Sequence, residues 1–434
     1  MAERYFKVNG GNKLTGKVTV SGAKNSVLAL LIASVLTDKQ LVIEDVPSIK
    51  DVYDLIEILE YLGSNVIVSD QGERKIVTID NKNLEYKPLL IEQITRFRAS
   101  YYLMGVMLGR FGKCELLIPG GCFLGPRPID LHLKGFESLG CEIEEFTHEG
   151  NDAIRITAKT GRIESNTIFL DFPSVGATIN LLLASAISNG TTILENAAKE
   201  PEIVDVITLL NTMGANIRGG GTGVIKIEGK ESLKGCYHQV IPDRIEAGSY
   251  LMLAGLIGEN VIIDNVIPEH LDAVVSKLEQ IGIKMVIEVD RITVLGKTEN
   301  LSPVKIQTGV YPSFATDLQQ VMATMLTQVP GYSEITETIY PDRFKNCYYL
   351  NDMGANIEIK RSEKFGQAQI NGGTPLTGDV VEATDLRAGF SLLFAGLIAE
   401  GETEVHNINH VLRGYANIVK KLTNLGADIE LMEK

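Results

Sequence analysis

Six nearly unbroken apolar runs punctuate the chain: SVLALLIASVL at 26–36, YYLMGVMLGRF at 101–111, NLLLASAI at 180–187, YLMLAGLI at 250–257, QVMATMLTQV at 320–329 and FSLLFAGLIA at 390–399. Apolar on almost every side, they predict helices buried on most faces. A strand-like segment follows each one, beginning with LVIEDV after the first and ending with TEVHNI after the last. A second, amphipathic helical pattern comes next. Each round closes on the signature apolar–Gly–small–x–apolar, as LGSNV, LGCEI, MGANI, IGIKM, MGANI and LGADI. Its glycines, Gly63, Gly140, Gly214, Gly282, Gly354 and Gly426, are 68 to 77 residues apart. Such regular spacing predicts six copies of one α/β unit. The glycine fits the left-handed residue that ends a helix. Pro128, Pro201, Pro268 and Pro341 stand where the first position of the second helix is expected, a site that tolerates a missing N–H.

Six units divide as three plus three. The strand-like LTGKVTV precedes the first unit and the sixth breaks off at IELMEK. The N-terminal strand is therefore expected to complete the second domain, with the chain crossing near 20–22 and 238–243. This predicts one domain over 22–241 and another from 1–21 plus 242–434, with an active site in the cleft between them. At 434 residues the chain is long enough for two sizeable cores.

Composition narrows the function. A net charge of −14 argues against nucleic acid or a membrane surface as partner, since either would favour a basic face. No apolar run reaches the ~18–20 residues of a membrane-spanning helix. MAERYFKVNG lacks the basic-then-apolar pattern of a signal peptide. Five cysteines, none in a CxxC pair, fit reduced thiols. These features together predict cytoplasmic residence. The histidines are scattered, so neither metal nor cofactor is expected.

Polar groups gather at two recurring places in the repeat. At or just before the starts of the buried helices stand Lys24, Asn25, Arg98, Ser174 to Gly176, Asp243, Arg244, Glu246, Asp317, Asp385 and Arg387. After the following strands stand Cys122, Arg127, Glu200, Glu202, Arg343 and Arg413. One arginine near a helix start is usually a solvated surface group, and Asp or Ser there is usually an N-cap. Their equivalence between units points instead to shared loop clusters. The segment PGGCFLGPRPIDLH at 119–132 is the sharpest local signal, with glycines and prolines flanking a thiol. A thiol among guanidinium groups is stabilised as thiolate.

VSGAKNS, RAS, PGGCFLGPRPIDLH, SVGAT, ENAAKEPEIVD, PDRIEAG, PSFATD, ITETIYPDRF, ATDLRAG and LRGY fall in family order along the whole chain. Together they resemble the UDP-N-acetylglucosamine 1-carboxyvinyltransferases, members of the enolpyruvyl transferases. The resemblance implies two inside-out α/β barrel domains of three repeats each. It also implies transfer of an enolpyruvyl group from phosphoenolpyruvate to the sugar 3-hydroxyl, with phosphate released, early in peptidoglycan precursor synthesis. Two rivals share parts of the pattern: the related enzyme that acts on shikimate 3-phosphate, and a non-catalytic nucleotide-sugar binder.

Roles follow from the same resemblance. Lys24, Arg127 and Arg413 match phosphate contacts of phosphoenolpyruvate, with Asn25 beside them. Arg343 and Arg387 match contacts to its carboxylate. Lys24 and Arg413 also stand among the catalytic positions. Asp317 matches the base, and Cys122 the proton donor that can also form a covalent adduct with phosphoenolpyruvate. Matching the nucleotide sugar are Asn25, Arg98, Arg127, Pro128, Ile129, Asp130, Leu131, His132, Ser174, Val175, Gly176, Asp317 and Ile339. Glu200, Glu202, Arg244 and Glu246 are expected as supporting charge partners. Where relatives often carry a basic residue two before the serine of SVGAT, this chain has Phe172. Tyr102 stands where some relatives have another aromatic. Bidentate arginines suit a substrate carrying both carboxylate and phosphate.

Overall fold

Among the described residues, twelve α-helices alternate with short strands. They are α1 (Lys24–Ala33), α2 (Lys50–Tyr61), α3 (Tyr102–Phe111), α4 (Asp130–Ser138), α5 (Val175–Ser185), α6 (Pro201–Thr212), α7 (Arg244–Ile257), α8 (Asp272–Ile281), α9 (Thr316–Leu326), α10 (Lys345–Asp352), α11 (Leu386–Ile398) and α12 (Ile418–Asn424). The structure is a computed structural model that describes residues 4–71, 74–118 and 129–433. Two compact units emerge, one of residues 22–241 and one of residues 1–21 with 242–434.

The odd-numbered helices are the apolar runs. In α7 through its last turn, and in α9 and α11, residues such as Leu251, Met322 and Leu393 are fully buried. Each such side chain stabilises the fold by about 1.5–3 kcal/mol. Five of these six helices begin two to six residues ahead of the apolar run, because the first turn carries polar residues. Ser174, Asp243 and Asp385 cap three of them. The Ser174 hydroxyl accepts from Ala177 N at 3.3 Å. Asp243 Oδ1 accepts from Ile245 N and Glu246 N at 2.8 and 3.1 Å. Asp385 Oδ1 does the same for Arg387 N and Ala388 N.

All six signature glycines have positive φ, between 82° and 110°. That conformation suits glycine, and it turns the chain out of the even-numbered helices into the next strand. The prolines are less uniform. Pro201 opens α6, but Pro268 begins a 3₁₀ turn ahead of α8, and Pro341 lies in a turn four residues before α10. Pro128 lies outside the described residues.

Among the described residues, three sheets per unit lie against the buried helices. A typical one is 283–287, 291–297, 258–264 and 14–19 in that order, with the last strand parallel to its neighbour. In the sixth repeat the chain ends at strand Asp428–Glu433, one strand short. Arg4–Asn9 stands in the missing place, antiparallel to both Glu402–His406 and Asp428–Glu433. Strand Tyr237–Gln239 pairs parallel with Leu41–Val46, so the third repeat of residues 22–241 returns to the first. The architecture is mixed α/β, with helices inside and sheets outside in each unit.

Candidate active site

In the unit formed by 1–21 and 242–434, three helix starts converge. Asp317 is the second residue of α9, and its carboxylate joins two buried arginines. Arg343 Nη1 donates to Asp317 Oδ1 at 2.7 Å, and Arg387 Nη2 to Asp317 Oδ2 at 3.4 Å. Arg387 comes from the first turn of α11, Arg343 from the turn before α10. Burial works against the charge of both guanidiniums, and neighbouring groups outweigh it, so both pKa values rise. Asp317 and Asp385 act on Arg343; Tyr415, Asp317 and Asp243, the cap of α7, act on Arg387. Arg343 is 4% exposed and Arg387 1%. Yet Arg343 Nε and both Nε and Nη1 of Arg387 have no hydrogen-bond partner among the described residues. Unspent buried donors of this kind carry a desolvation cost that an anionic ligand would offset.

Tyr415 orients Arg387. The guanidinium carbon lies 5.3 Å from the centre of the tyrosine ring, a distance suited to cation–π attraction. That ring stacks on Phe390 at 4.4 Å, and its hydroxyl is 2.9 Å from Ser249 Oγ. Arg413, two residues before Tyr415, ends a short 3₁₀ turn and is half-buried. Ile339 lies on the turn leading to Arg343, its N–H held by Glu337.

In the unit of residues 22–241, a second cluster forms at the starts of α3, α4 and α5. His132 on α4 is buried, and its Nδ1 lies 2.8 Å from Asn180 Nδ2. The same amide nitrogen donates to Tyr101 O, and Asn180 Oδ1 accepts from Gly105 N. With the amide thus oriented, Nδ1 of His132 accepts and Nε2 carries the proton. Burial, aided by the Arg98 charge, pushes the His132 pKa down to about 3. Its Nε2 edge faces the first turn of α5: a Cβ placed on Gly176 would lie 3.0 Å from Nε2. Arg98, His132 and the Ser174–Gly176 turn are thereby brought together. Ile129 precedes α4, Asp130 is exposed and Leu131 half-buried. Phe172, close by in sequence, is 46% exposed.

Lys24 opens α1 and pairs with Asp51 Oδ2 at 2.9 Å, while neighbouring Asn25 is exposed. Ser26 is anchored to Asp205, which also holds His238 Nε2 at 2.7 Å. Glu246 pairs with Lys421 at 2.6 Å, and Arg244 lies over the Tyr311 ring. Cys122, Arg127 and Pro128 lie outside the described residues.

Sequence reasoning passed over Asp51, Asn180, Thr316, Glu337 and Tyr415. Asn180 left a signal, an amide opening the otherwise apolar run NLLLASAI. The others had none, because their partners are remote in sequence.

Residues 8–422 match the family model of EPSP synthase (3-phosphoshikimate 1-carboxyvinyltransferase). A Streptococcus thermophilus protein named UDP-N-acetylglucosamine 1-carboxyvinyltransferase 2 is 50% identical, over 99% of this chain and 100% of its own length. One of the same name from Listeria monocytogenes is 47% identical, over 99% of this chain and 98% of its own length. Among solved structures, the enolpyruvyl transferase NikO from Streptomyces tendae aligns over 100% of both chains, with TM-score 0.89 and 26% identity. An EPSP synthase from Acinetobacter baumannii, at TM-score 0.74 and 18% identity, shares the fold. The chain belongs to the UDP-N-acetylglucosamine 1-carboxyvinyltransferases, within the wider EPSP synthase family.

Proposed function

We propose that this enzyme transfers the enolpyruvyl group of phosphoenolpyruvate to the 3-hydroxyl of UDP-N-acetylglucosamine and releases phosphate, at the start of peptidoglycan precursor synthesis. The observation that carries this reading is the pair of buried arginines, Arg343 and Arg387, sharing Asp317 while three of their nitrogens have no hydrogen-bond partner among the described residues. A carboxylate ligand satisfies such a pair, and an aspartate within reach supplies a base.

In the proposed chemistry, the sugar oxygen bonds to C2 of phosphoenolpyruvate as its proton passes to Asp317. A proton is added to C3, from Cys122. Loss of a C3 proton and of phosphate then restores the double bond in the product. Arg343 and Arg387 hold the substrate carboxylate. Lys24, Asn25, Arg127 and Arg413 hold its phosphate, with Lys24 and Arg413 balancing charge as phosphate leaves. Asn25, Arg98, residues 127–132, Ser174, Val175, Gly176, Asp317 and Ile339 receive the nucleotide sugar.

The reading includes residence in the cytoplasm, where both substrates would be met; no helix among the described residues is long and apolar enough to cross a membrane. Phosphate release decides the matter. The wild type is expected to release phosphate with UDP-N-acetylglucosamine and phosphoenolpyruvate, and none with shikimate 3-phosphate. Cys122→Ala is expected to lose nearly all activity. Release with shikimate 3-phosphate instead would overturn the assignment.

A further inference from the structure

We infer that Glu337 is a positioning residue whose carboxylate, acting through Thr316 and the backbone of Ile339 and Tyr340, sets Asp317 and Arg343 in register. This rests on the function proposed above and adds a residue to it.

Glu337 ends the strand Gly331–Glu337 and is fully buried. Its two oxygens accept four hydrogen bonds. Oε1 takes the Thr308 hydroxyl at 2.8 Å, Ile339 N at 2.7 Å and Tyr340 N at 3.0 Å. Oε2 takes the Thr316 hydroxyl at 2.8 Å. Backbone N–H groups can only donate, and an ionised carboxylate only accepts, so the match is complementary.

Thr316 transmits the constraint. Since its hydroxyl donates to Glu337, the oxygen lone pairs are left to accept from Arg343 Nη1 at 3.1 Å. That same Nη1 donates to Asp317, the next residue along α9. α9 has no side-chain cap, its N-cap position being Ala315, so the Thr316–Glu337 bond supplies a tether at its first turn. Thr308 reinforces the other side. Its hydroxyl oxygen accepts from Thr338 N at 3.0 Å, and its carbonyl from the Thr338 hydroxyl at 2.8 Å. One carboxylate thus links the start of α9 to the turn that bears Ile339 and Arg343. A misplacement of about 1 Å at such a site can cost about 100-fold in rate.

The test separates positioning from bulk stability. Thr316→Val keeps side-chain shape and removes the hydroxyl; Thr316→Ser keeps the hydroxyl. For Thr316→Val, kcat is expected to fall about 10- to 100-fold, and KM for phosphoenolpyruvate to rise about tenfold. KM for UDP-N-acetylglucosamine is expected to stay within about threefold. Thr316→Ser is expected to restore all three constants. Glu337→Gln is expected to raise both KM values, because the amide reverses the polarity toward Thr316 and loosens the Ile339 turn. Thermal melts show whether each variant folds. A merely structural role lowers the melting temperature and the active fraction without splitting the KM values. Thr316→Val with unchanged kinetics, or an equal loss in Thr316→Ser, overturns the inference while leaving the assigned reaction intact. A wild type that releases no phosphate removes both.

Discussion

Asp317 Oδ1 lies 2.7 Å from Arg343 Nη1, so the proposed base occupies a donor that the substrate carboxylate would also need. In the proposed reading, Asp317 stands where the substrate carboxylate would bind. On that reading, phosphoenolpyruvate would take over Arg343 and Arg387 and release Asp317 toward the sugar hydroxyl. Asp317→Asn is accordingly expected to bind phosphoenolpyruvate at least as tightly as the wild type, while kcat falls about 10²–10⁴-fold. Leaving two buried guanidiniums without their counter-charge is expected to cost about 2–3 kcal/mol, below the value for a fully enclosed pair because Asp317 is 27% exposed. Calorimetric titration and phosphate release check both parts. Much weaker binding of phosphoenolpyruvate by the variant would refute the stand-in role.

His132 makes stability depend on pH. Its folded pKa of about 3 lies below the ordinary value near 6.5, so the unfolded chain binds a proton the folded one refuses. The associated stability is complete above pH ~6.5 and is lost as pH falls from there toward 3, with a slope of up to about 1.4 kcal/mol per pH unit. Chemical denaturation between pH 7 and 5 is expected to show a shallower slope in His132→Gln than in the wild type. Equal slopes would mean His132 is not kept neutral by folding.

Gly176 gives His132 its room. An added Cβ would lie 3.0 Å from Nε2 and 3.1 Å from Cε1 of the ring, tighter than ordinary contact. Gly176→Ala is expected to lower stability by about 1–3 kcal/mol through overpacking. It is also expected to raise KM for UDP-N-acetylglucosamine, with less effect on KM for phosphoenolpyruvate. Denaturant melts and steady-state kinetics test the pair of outcomes; a change in stability alone would argue against a nucleotide-sugar contact at this turn.

Lys421 holds the chain where it leaves the strand Leu14–Thr19. Its ammonium bonds to Glu246 Oε1 at 2.6 Å and Ser21 Oγ at 2.7 Å, while Ser21 N donates to Glu246 Oε2 at 2.7 Å. Both charged side chains are buried. Lys421→Met strands the Glu246 carboxylate and is expected to destabilise by about 3–5 kcal/mol. Adding Glu246→Gln is expected to recover part of the loss, read as a coupling energy in a double-mutant cycle. Strictly additive effects would show the pair to be uncoupled.

The repeat was legible because it rests on local rules. A helix buried on most faces needs an apolar run, and a left-handed turn favours glycine; all six signature glycines have positive φ. The shortfall at IELMEK was legible for the same reason, but the strand that fills it is Arg4–Asn9; LTGKVTV pairs instead with Gly258–Asp264 of the fourth repeat. Pro268 and Pro341 were harder, since a fixed φ near −65° serves a 3₁₀ turn or a loop as readily as a helix start. For Asp243 and Asp385 the residues left open a purely structural part, as cap or ion-pair partner, and a part in the site. Both are caps, and Asp385 also accepts from Gln320 Nε2 at 3.0 Å.

The sequence by itself determined the six α/β units, the polar first turns of the buried helices and the family to which they belong. Those depend on periodicity, backbone preference and residue type, each readable within a few neighbours. Only the tertiary structure decided that Arg343 and Arg387 share Asp317, that Asn180 sets the His132 tautomer, and that Glu337 tethers the start of α9. Such pairings join residues tens of positions apart. Hydrogen-bond direction and the cost of burying charge select them, and neither leaves a periodic trace along a chain.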